Sequence, residues 1–211
     1  MKYRLRSVFR SIQGEGRNTG RPATFIRFAG CNLNCPWCDT QKTATKTLSL
    51  SELMSEVRRF GNRMVIVTGG EPTIVPGLAD VLEALKKDGR WLALETNGLR
   101  DIPELALFDY IAVSPKFFYS SRYVDRAMVR KADEVRIVAE NEDMVAFCRK
   151  MRGRIQAKDY FISPIEEGGR IHYRRAFNLM QRLNSPKLRD EEAPWPPWAL
   201  SIQTHKVLGV K

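Results

Sequence analysis

The chain has 211 residues, 43% of them hydrophobic and 28% charged, with 14 Gly and 11 Pro; it can bury one sizeable core and is too ordinary in composition for a disordered or collagen-like chain. Its apolar runs, such as residues 64–67 and 110–113, fall far short of the roughly 20 residues that cross a bilayer, and its cationic, alternating start lacks the apolar stretch of a secretory signal, so a cytoplasmic protein with no membrane partner is expected. With 35 Lys and Arg against 24 Asp and Glu the net charge is +11, but the excess is spread along the chain without interleaved aromatic residues, and no direct nucleic-acid contact is expected.

Residues 1–21 carry Lys2, Arg4, Arg6, Arg10, Arg17 and Arg21 against Glu15 alone, and residues 23–29 read as a mostly buried strand that runs into Gly30 and a cysteine-rich loop. Ser49 and Glu52 have the spacing of a capping box, and Leu50, Leu53, Met54 and Val57 follow at helical intervals. A β-branched run at 64–67 stops at Thr68, Gly69, Gly70, Glu71 and Pro72; Leu78, Val81, Leu82 and Leu85 then mark a second helix ending at Gly89. Strands at 91–94 and 110–113 lead to Glu95-Thr-Asn-Gly98 and to Ser114, Pro115 and Lys116. A strand at 135–138 precedes a helix from about 142 to 151, a strand at 160–162 leads to Ser163 and Pro164, and a last helix lies near 173–183. After a proline-rich connection over 184–198, a final strand is expected at about 199–203.

Strand, loop and helix repeated about six times predict an α/β fold with a parallel sheet. A full eightfold barrel takes about 250 residues, so an incomplete (β/α)6-type parallel barrel in one domain is expected. Ligands of such folds gather at the carboxyl ends of the strands, where the unusual sequences fall.

The central constellation is Cys31, Cys35 and Cys38, a C-x3-C-x2-C spacing that puts three thiols in one short loop. Tight spacing without spread, even-numbered pairs points to metal rather than disulfides. A four-iron cluster normally takes four thiolates, so three leave one iron open to an exchangeable ligand. A zinc site completed by His172 or His205, or three buried thiols, are the bland alternatives. Cys148, far away on a helix, reads as a small buried apolar residue.

The C-x3-C-x2-C loop after a first strand resembles the cluster-binding loop of radical S-adenosylmethionine (SAM) enzymes, and Gly69-Gly70-Glu71-Pro72 resembles that family's GGEP motif. The resemblance implies a [4Fe-4S] cluster on Cys31, Cys35 and Cys38 whose open iron chelates SAM, and one-electron cleavage of SAM to a 5′-deoxyadenosyl radical that abstracts a substrate hydrogen. Ser11-Ile-Gln-Gly-Glu-Gly16, Arg27, Cys38-Asp39-Thr40, Glu95-Thr-Asn-Gly98, Ser114-Pro-Lys116 and Gln203-Thr-His-Lys206 are similar to the ring-contracting lyases of the family across nearly the whole chain. Those enzymes contract 6-carboxy-5,6,7,8-tetrahydropterin with loss of ammonia, on the way to queuosine and related 7-deazapurines.

That narrower resemblance implies residue roles. Trp37, Cys38, Asp39, Gly70, Ser114, Pro115, Lys116, Ser163, Pro164, Ile165 and Glu166 line the SAM site. Ile12, Gln13 and Gly14 read the pterin edge, Arg27 pairs with its carboxylate in the fork that guanidinium favours, and Thr68 adds a hydroxyl. Thr40 sits at Mg2+, an ion that suits oxygen donors, and Lys211 brings a terminal carboxylate to the substrate. An N-terminal segment of about residues 1–22 and a tail of about 199–211 close the site, a flavodoxin- or ferredoxin-type electron donor supplies the electron, and the assembly is a homodimer; Trp91, Trp195 and Trp198 fit either an apolar interface or, equally well, a core or a place under a loop. Two other classes compete: a small radical SAM activase that installs a glycyl radical on a partner enzyme, and a non-enzymatic metal or nucleic-acid module.

Overall fold

The computed structural model describes residues 1–38, 43–123, 127–185 and 196–210. Nine strands form one sheet in the order β11-β8-β7-β6-β5-β4-β2-β1-β3. Strands β2 (Pro22–Phe28), β4 (Met64–Gly69), β5 (Trp91–Thr96), β6 (Tyr110–Val113), β7 (Glu134–Ala139), β8 (Asp159–Pro164) and β11 (Trp198–Leu200) run parallel to their neighbours. Strand β1 (Lys2–Ile12) adds antiparallel to β2, and β3 (Lys46–Ser49) antiparallel to β1. The sheet ends on β11 at one edge and β3 at the other, so the parallel array is an incomplete barrel.

Four helices cover the outer face: α1 (Leu50–Phe60), α2 (Leu78–Lys87), α3 (Val145–Arg154) and α4 (Tyr173–Asn184). Helix α1 starts where its sequence dictates, because the Ser49 side chain accepts from the Glu52 amide while the Glu52 carboxylate accepts from the Ser49 amide at 2.7 Å. Leu53, Met54 and Val57 of α1 and Leu78, Val81, Leu82 and Leu85 of α2 pack on the outward residues Ile26, Val65, Val67 and Leu92. On the other half, Phe147, Cys148 and Met151 of α3 and Ala176, Leu179 and Leu183 of α4 pack against Val135, Ile137, Tyr160 and Ile162.

A strand's alternate residues face opposite sides, and the inward set makes a separate core of Phe9, Ala23, Phe25, Met64, Ile66, Ala93, Tyr110 and Ala112, with Trp91 packed against it. This cluster plugs the amino-terminal end of the barrel. It is the floor of the cavity described below.

Several expectations are revised. The segment before residue 22 holds an 11-residue strand. Among the described residues, the connections β5–β6 and β6–β7 carry 3-10 turns at Pro103–Leu107 and Phe117–Arg122 rather than α-helices, since neither stretch has an apolar stripe of helical period. Helix α3 begins at Val145, because Met144 sulfur accepts from the Glu140 amide and residues 140–144 turn on themselves. The last strand is Trp198–Leu200, followed by β-to-helix passage into α5 (Thr204–Val207); a two-stranded hairpin of β9 (Glu166–Glu167) and β10 (Arg170–Ile171) follows β8. Trp198 is 2% exposed and stacks near Tyr160, and Trp91 leans on Tyr110, so both serve the chain's own core; Trp195 lies outside the described residues. Cys148 is fully buried, and burial pushes its thiol up to about 12, as an inert core residue requires. No helix among the described residues is long and apolar enough to cross a membrane.

Ile66, fully buried in the floor, gives a direct test of this core. Ile66→Ala is expected to lower stability by roughly 2 to 5 kcal/mol, read as a shifted midpoint in denaturant unfolding.

Candidate active site

Above the floor, the next inward rungs turn polar. Arg27 on β2 pairs in register with Thr68 on β4; Glu95 on β5, Ser114 after β6, Arg136 on β7 and Ser163 on β8 complete the ring around a cavity of about 250 Å³. Two of these atoms, Arg27 Nε and Ser163 Oγ, are buried without a hydrogen-bond partner. A buried donor left unsatisfied costs about 1–3 kcal/mol, so both positions suit a bound ligand. The Arg27 guanidinium also lies over the Phe9 ring, 5.2 Å from its centroid, which leaves its edge for the cavity.

The cysteine loop leaves β2 through Gly30 and lies over one side of the opening, with Cys31, Cys35, Trp37 and Cys38 in the lining. No cysteine is in a disulfide. The loop is held from two sides. Asn97 Nδ2 donates to Asn32 Oδ1 at 2.7 Å, and the turn after β6 contributes Arg122 Nη1 to the Asn32 carbonyl at 3.0 Å and the Tyr119 hydroxyl, which accepts from the Asn34 amide at 2.9 Å. Trp37 packs edge-on against Phe118. Among the described residues no three His, Cys, Asp or Glu side chains are gathered tightly enough to hold a single metal ion, a demand that an iron–sulfur cluster does not make, because each thiolate binds its own iron.

The Gly-Gly-Glu sequence has a mechanical reason. A Cβ on Gly70 would overlap the Gly30 carbonyl, and one on Gly69, at φ +129°, would overlap the Phe28 backbone; the Gly70 amide donates to the Phe28 carbonyl at 3.0 Å and the Glu71 amide to Gly30 at 2.9 Å. The pair thus fastens β4 to the root of the cysteine loop. Glu71, 1% exposed, accepts from the Thr73 amide and hydroxyl, the Thr96 hydroxyl and the Asn97 amide at 2.7–3.1 Å. Four donors satisfy one buried carboxylate, and they lock Asn97 where it reaches Asn32.

At the mouth, the loop 13–16 meets the tail. Thr204 donates to the Gly14 carbonyl through both its amide and its hydroxyl, at 3.0 and 3.1 Å, and the Gly16 amide donates to Ser201 Oγ at 2.9 Å. A side chain on Gly14 would collide with His205, and one on Gly16, at φ +67°, with the Glu134 carboxylate. Lys206 Nζ pairs with Glu166 at 2.5 Å, and Lys116 Nζ donates to Ser114 Oγ at 2.7 Å.

The strongest electrostatic feature is Arg136, buried with three carboxylates. Its Nη1 meets Glu15 and its Nη2 meets Glu95, both at 2.9 Å, and its Nε stands 2.8 Å from Glu134 without the alignment of a hydrogen bond. Gln13 Nε2 donates to Glu95 at 3.0 Å, and Thr68 donates to it as well. Burial on its own would raise the Glu95 pKa, but the Arg136 charge and the hydrogen bonds from Gln13, Arg136 and Thr68 outweigh it and hold the group at about 2. Burial raises the Tyr110 phenol, and Glu134, which accepts from it at 2.7 Å, raises it further.

Of the residues singled out in the sequence, Ile12, Gln13, Gly14, Arg27, Thr68, Cys31, Cys35, Trp37, Cys38, Gly70, Ser114, Lys116, Ser163, Pro164, Ile165 and Glu166 all line this cavity. Pro115 is buried behind it rather than in the lining, and Asp39, Thr40 and Lys211 lie outside the described residues. Glu15, Glu95, Arg136, Gln203 and His205 also line it; all but Arg136 fall in the motifs that carry the resemblance, without an individual role there beyond the zinc alternative at His205. For Arg136 the available signal was an arginine interrupting the apolar run of β7, just as Arg27 interrupts β2.

The model of the radical SAM superfamily matches residues 25–152, which span β2, the cysteine loop and most of the barrel. That match covers more than half of the chain, which therefore belongs to the radical SAM superfamily. The chain is 44% identical to the 7-carboxy-7-deazaguanine synthase of Haemophilus influenzae over 99% of this chain and 94% of the relative, and 42% identical to that of Neisseria meningitidis over 100% and 95%. The crystal structure of QueE from Escherichia coli shares the fold at a TM-score of 0.68 and 24% identity, covering 96% of this chain and 94% of that one. The chain therefore belongs to the 7-carboxy-7-deazaguanine synthase family of radical SAM enzymes.

Because Gly70 abuts Gly30 at the root of the cysteine loop, Gly70→Ala is expected to yield folded protein that retains less than about a tenth of the iron and sulfide of the parent after anaerobic reconstitution, measured by metal analysis and visible absorbance. Full loading would show that the close approach is dispensable.

Proposed function

We propose that the chain converts 6-carboxy-5,6,7,8-tetrahydropterin to 7-carboxy-7-deazaguanine with loss of ammonia, as a radical SAM lyase of 7-deazapurine biosynthesis. The observation that carries this reading is the polarity of the cavity: the Arg27 guanidinium, whose buried Nε has no partner, on one wall, and Gln13 with the Glu15 and Glu95 carboxylates on another. A carboxylated pterin has matching ends, an anion for the Arg27 fork and a guanidine-like edge whose N–H groups donate to carboxylates and to the Gln13 side chain. A glycyl-radical activase takes a neutral protein backbone, which brings no carboxylate to match the charge of Arg27.

The donor set fits the cofactors. Three loop thiols on one side of the cavity hold a [4Fe-4S] cluster through Cys31, Cys35 and Cys38, and the orphaned Ser163 hydroxyl, Gly70, Lys116 and Glu166 surround the space beside them for SAM. When bound, cluster and SAM supply one-electron cleavage that starts hydrogen abstraction from the substrate. The chain's own part is to orient and to exclude water. Arg27 fixes the carboxylate end, Glu95 and Gln13 fix the opposite edge, Arg136 with Gln13 and Thr68 holds Glu95 ionised, and the tail over Gly14 narrows the opening. Mg2+ at Thr40, Lys211 against the substrate, a flavodoxin- or ferredoxin-type electron donor, a homodimeric assembly and a cytoplasmic setting, where thiols stay reduced, complete the proposal.

Anaerobically reconstituted protein given reductant, SAM, Mg2+ and the carboxy-tetrahydropterin is expected to form 7-carboxy-7-deazaguanine, detected by mass spectrometry; its absence with an intact cluster would overturn the reading. Arg27→Gln, which loses a charged, forked contact worth about 1.5–3 kcal/mol, is expected to reduce kcat/KM roughly 10- to 100-fold, mainly through KM.

A further inference from the structure

We infer that Arg136 is a positioning residue that sets substrate specificity: it gathers Glu15 and Glu95 into one ionised acidic edge facing the bound pterin. The inference rests on the functional reading above and adds a residue that touches no reacting atom. Its geometry carries the argument. One guanidinium, with a side chain 7% exposed, contacts carboxylates from three separate places in the chain, the 13–16 loop, β5 and β7. A planar fork with five donors can do this; an ammonium cannot span the same three directions.

Without Arg136, Glu15 and Glu95 would be like charges sharing one wall, and the cheapest relief is for one to take up a proton or turn away. Either change removes an acceptor from the edge. With Arg136 in place, Glu95 receives donors from Gln13, Arg136 and Thr68, and a carboxylate has about four acceptor sites, so one remains for a substrate N–H. Glu134 anchors the arginine from below. It accepts from the Tyr110 hydroxyl at 2.7 Å and from the Arg17 amide at 2.9 Å, and Arg17 in turn grips Asp159 at the start of β8. The groups facing Arg136 are thus Glu15 and Gln13 from the loop, Thr68 from β4, Glu95 from β5, Tyr110 from β6, Glu134 from its own strand, and Asp159 through Arg17.

The test compares the full-length, cluster-loaded parent with Arg136→Gln and Arg136→Lys. Arg136→Gln is expected to raise KM for the pterin 10- to 100-fold, while cleavage of SAM to 5′-deoxyadenosine without pterin, and the iron content, stay within twofold of the parent. Arg136→Lys should recover only part of the loss. The acid limb of kcat/KM should move to higher pH in Arg136→Gln, because Glu95, held at about 2 by the arginine, then protonates nearer the ordinary carboxylate range. Binding of the pterin to the cluster-loaded protein, followed by titration calorimetry, should weaken by the same factor as KM rises. Unchanged KM, or SAM cleavage falling in step with it, would overturn the inference. Should Arg136→Gln fail to fold, Glu15→Gln at the cavity mouth must show the same rise in KM with SAM cleavage intact, and an unaffected KM there overturns it equally. A parent protein that binds no pterin refutes the functional reading instead, so the two failures are distinguishable.

Discussion

A charge drawn into the barrel has to be matched inside it, and that constraint shapes this molecule more than any single contact. An isolated buried ion is costly, so each inward charge is met by partners from neighbouring strands. Glu71 has four donors at the ends of β4 and β5; Arg136 has three carboxylates. The first arrangement ends at the cysteine loop through Asn97 and Asn32. The second ends at the cavity wall through Glu15 and Glu95. Arg27 and Ser163 are the departures, buried atoms with no partner of their own, and they sit where ligands are expected.

How far this could be read from sequence depends on what each signal encodes. Parallel strands buried on both faces appear as β-branched runs, so β4, β5, β6, β7 and β8 were legible to within a residue or two. Helices α1, α2 and α4 announced themselves by apolar spacing, and α1 by its capping box. Strand β1 was harder. Its Tyr3 and Leu5 are buried and its Lys2 and Arg4 exposed, the alternation of a strand, but the density of cations made charge the more conspicuous feature. The 3-10 turns at Pro103–Leu107 and Phe117–Arg122 were legible only as the lack of an apolar stripe of helical period, which the count of about six strand–helix repeats passed over.

The site was legible in part, and for a definable reason. Motif residues at strand ends, the cysteines and the glycine pair, are contiguous in the chain, so spacing reveals them. Glu15, Glu95 and Arg136 are brought together across 121 residues of separation by strand register, Glu95 opposite Ala112 and Ala112 opposite Glu134. No local pattern carries that information. What a sequence can offer is the anomaly of an arginine in an apolar strand, which occurs twice here, at Arg27 and Arg136. The structure separates them: one has a full complement of carboxylates, the other has none on its buried nitrogen. The first is matched within the fold, and the second is the one our proposed function pairs with a substrate carboxylate.

An incomplete barrel also has a lateral opening, and the way it is narrowed joins recognition to closure. Gln13 and Glu15 come from a loop rather than a strand, and loops hold position only through their bonds. This loop is bonded to the tail through Gly14 and Thr204, to Ser201 through Gly16, to β7 through Glu15 and the Arg17 amide, and to β8 through the paired Arg17 and Asp159 side chains. Both glycines are obligatory there, since His205 and Glu134 occupy the space their side chains would need. Gln13 and Glu15 in the cavity lining are thus fixed by the same bonds that bring the loop and the tail together over the cavity. A disturbance of the tail should reach Gln13 and Glu15 directly, while leaving the cysteine loop, which is tethered independently through Asn97, Arg122 and Tyr119, where it is.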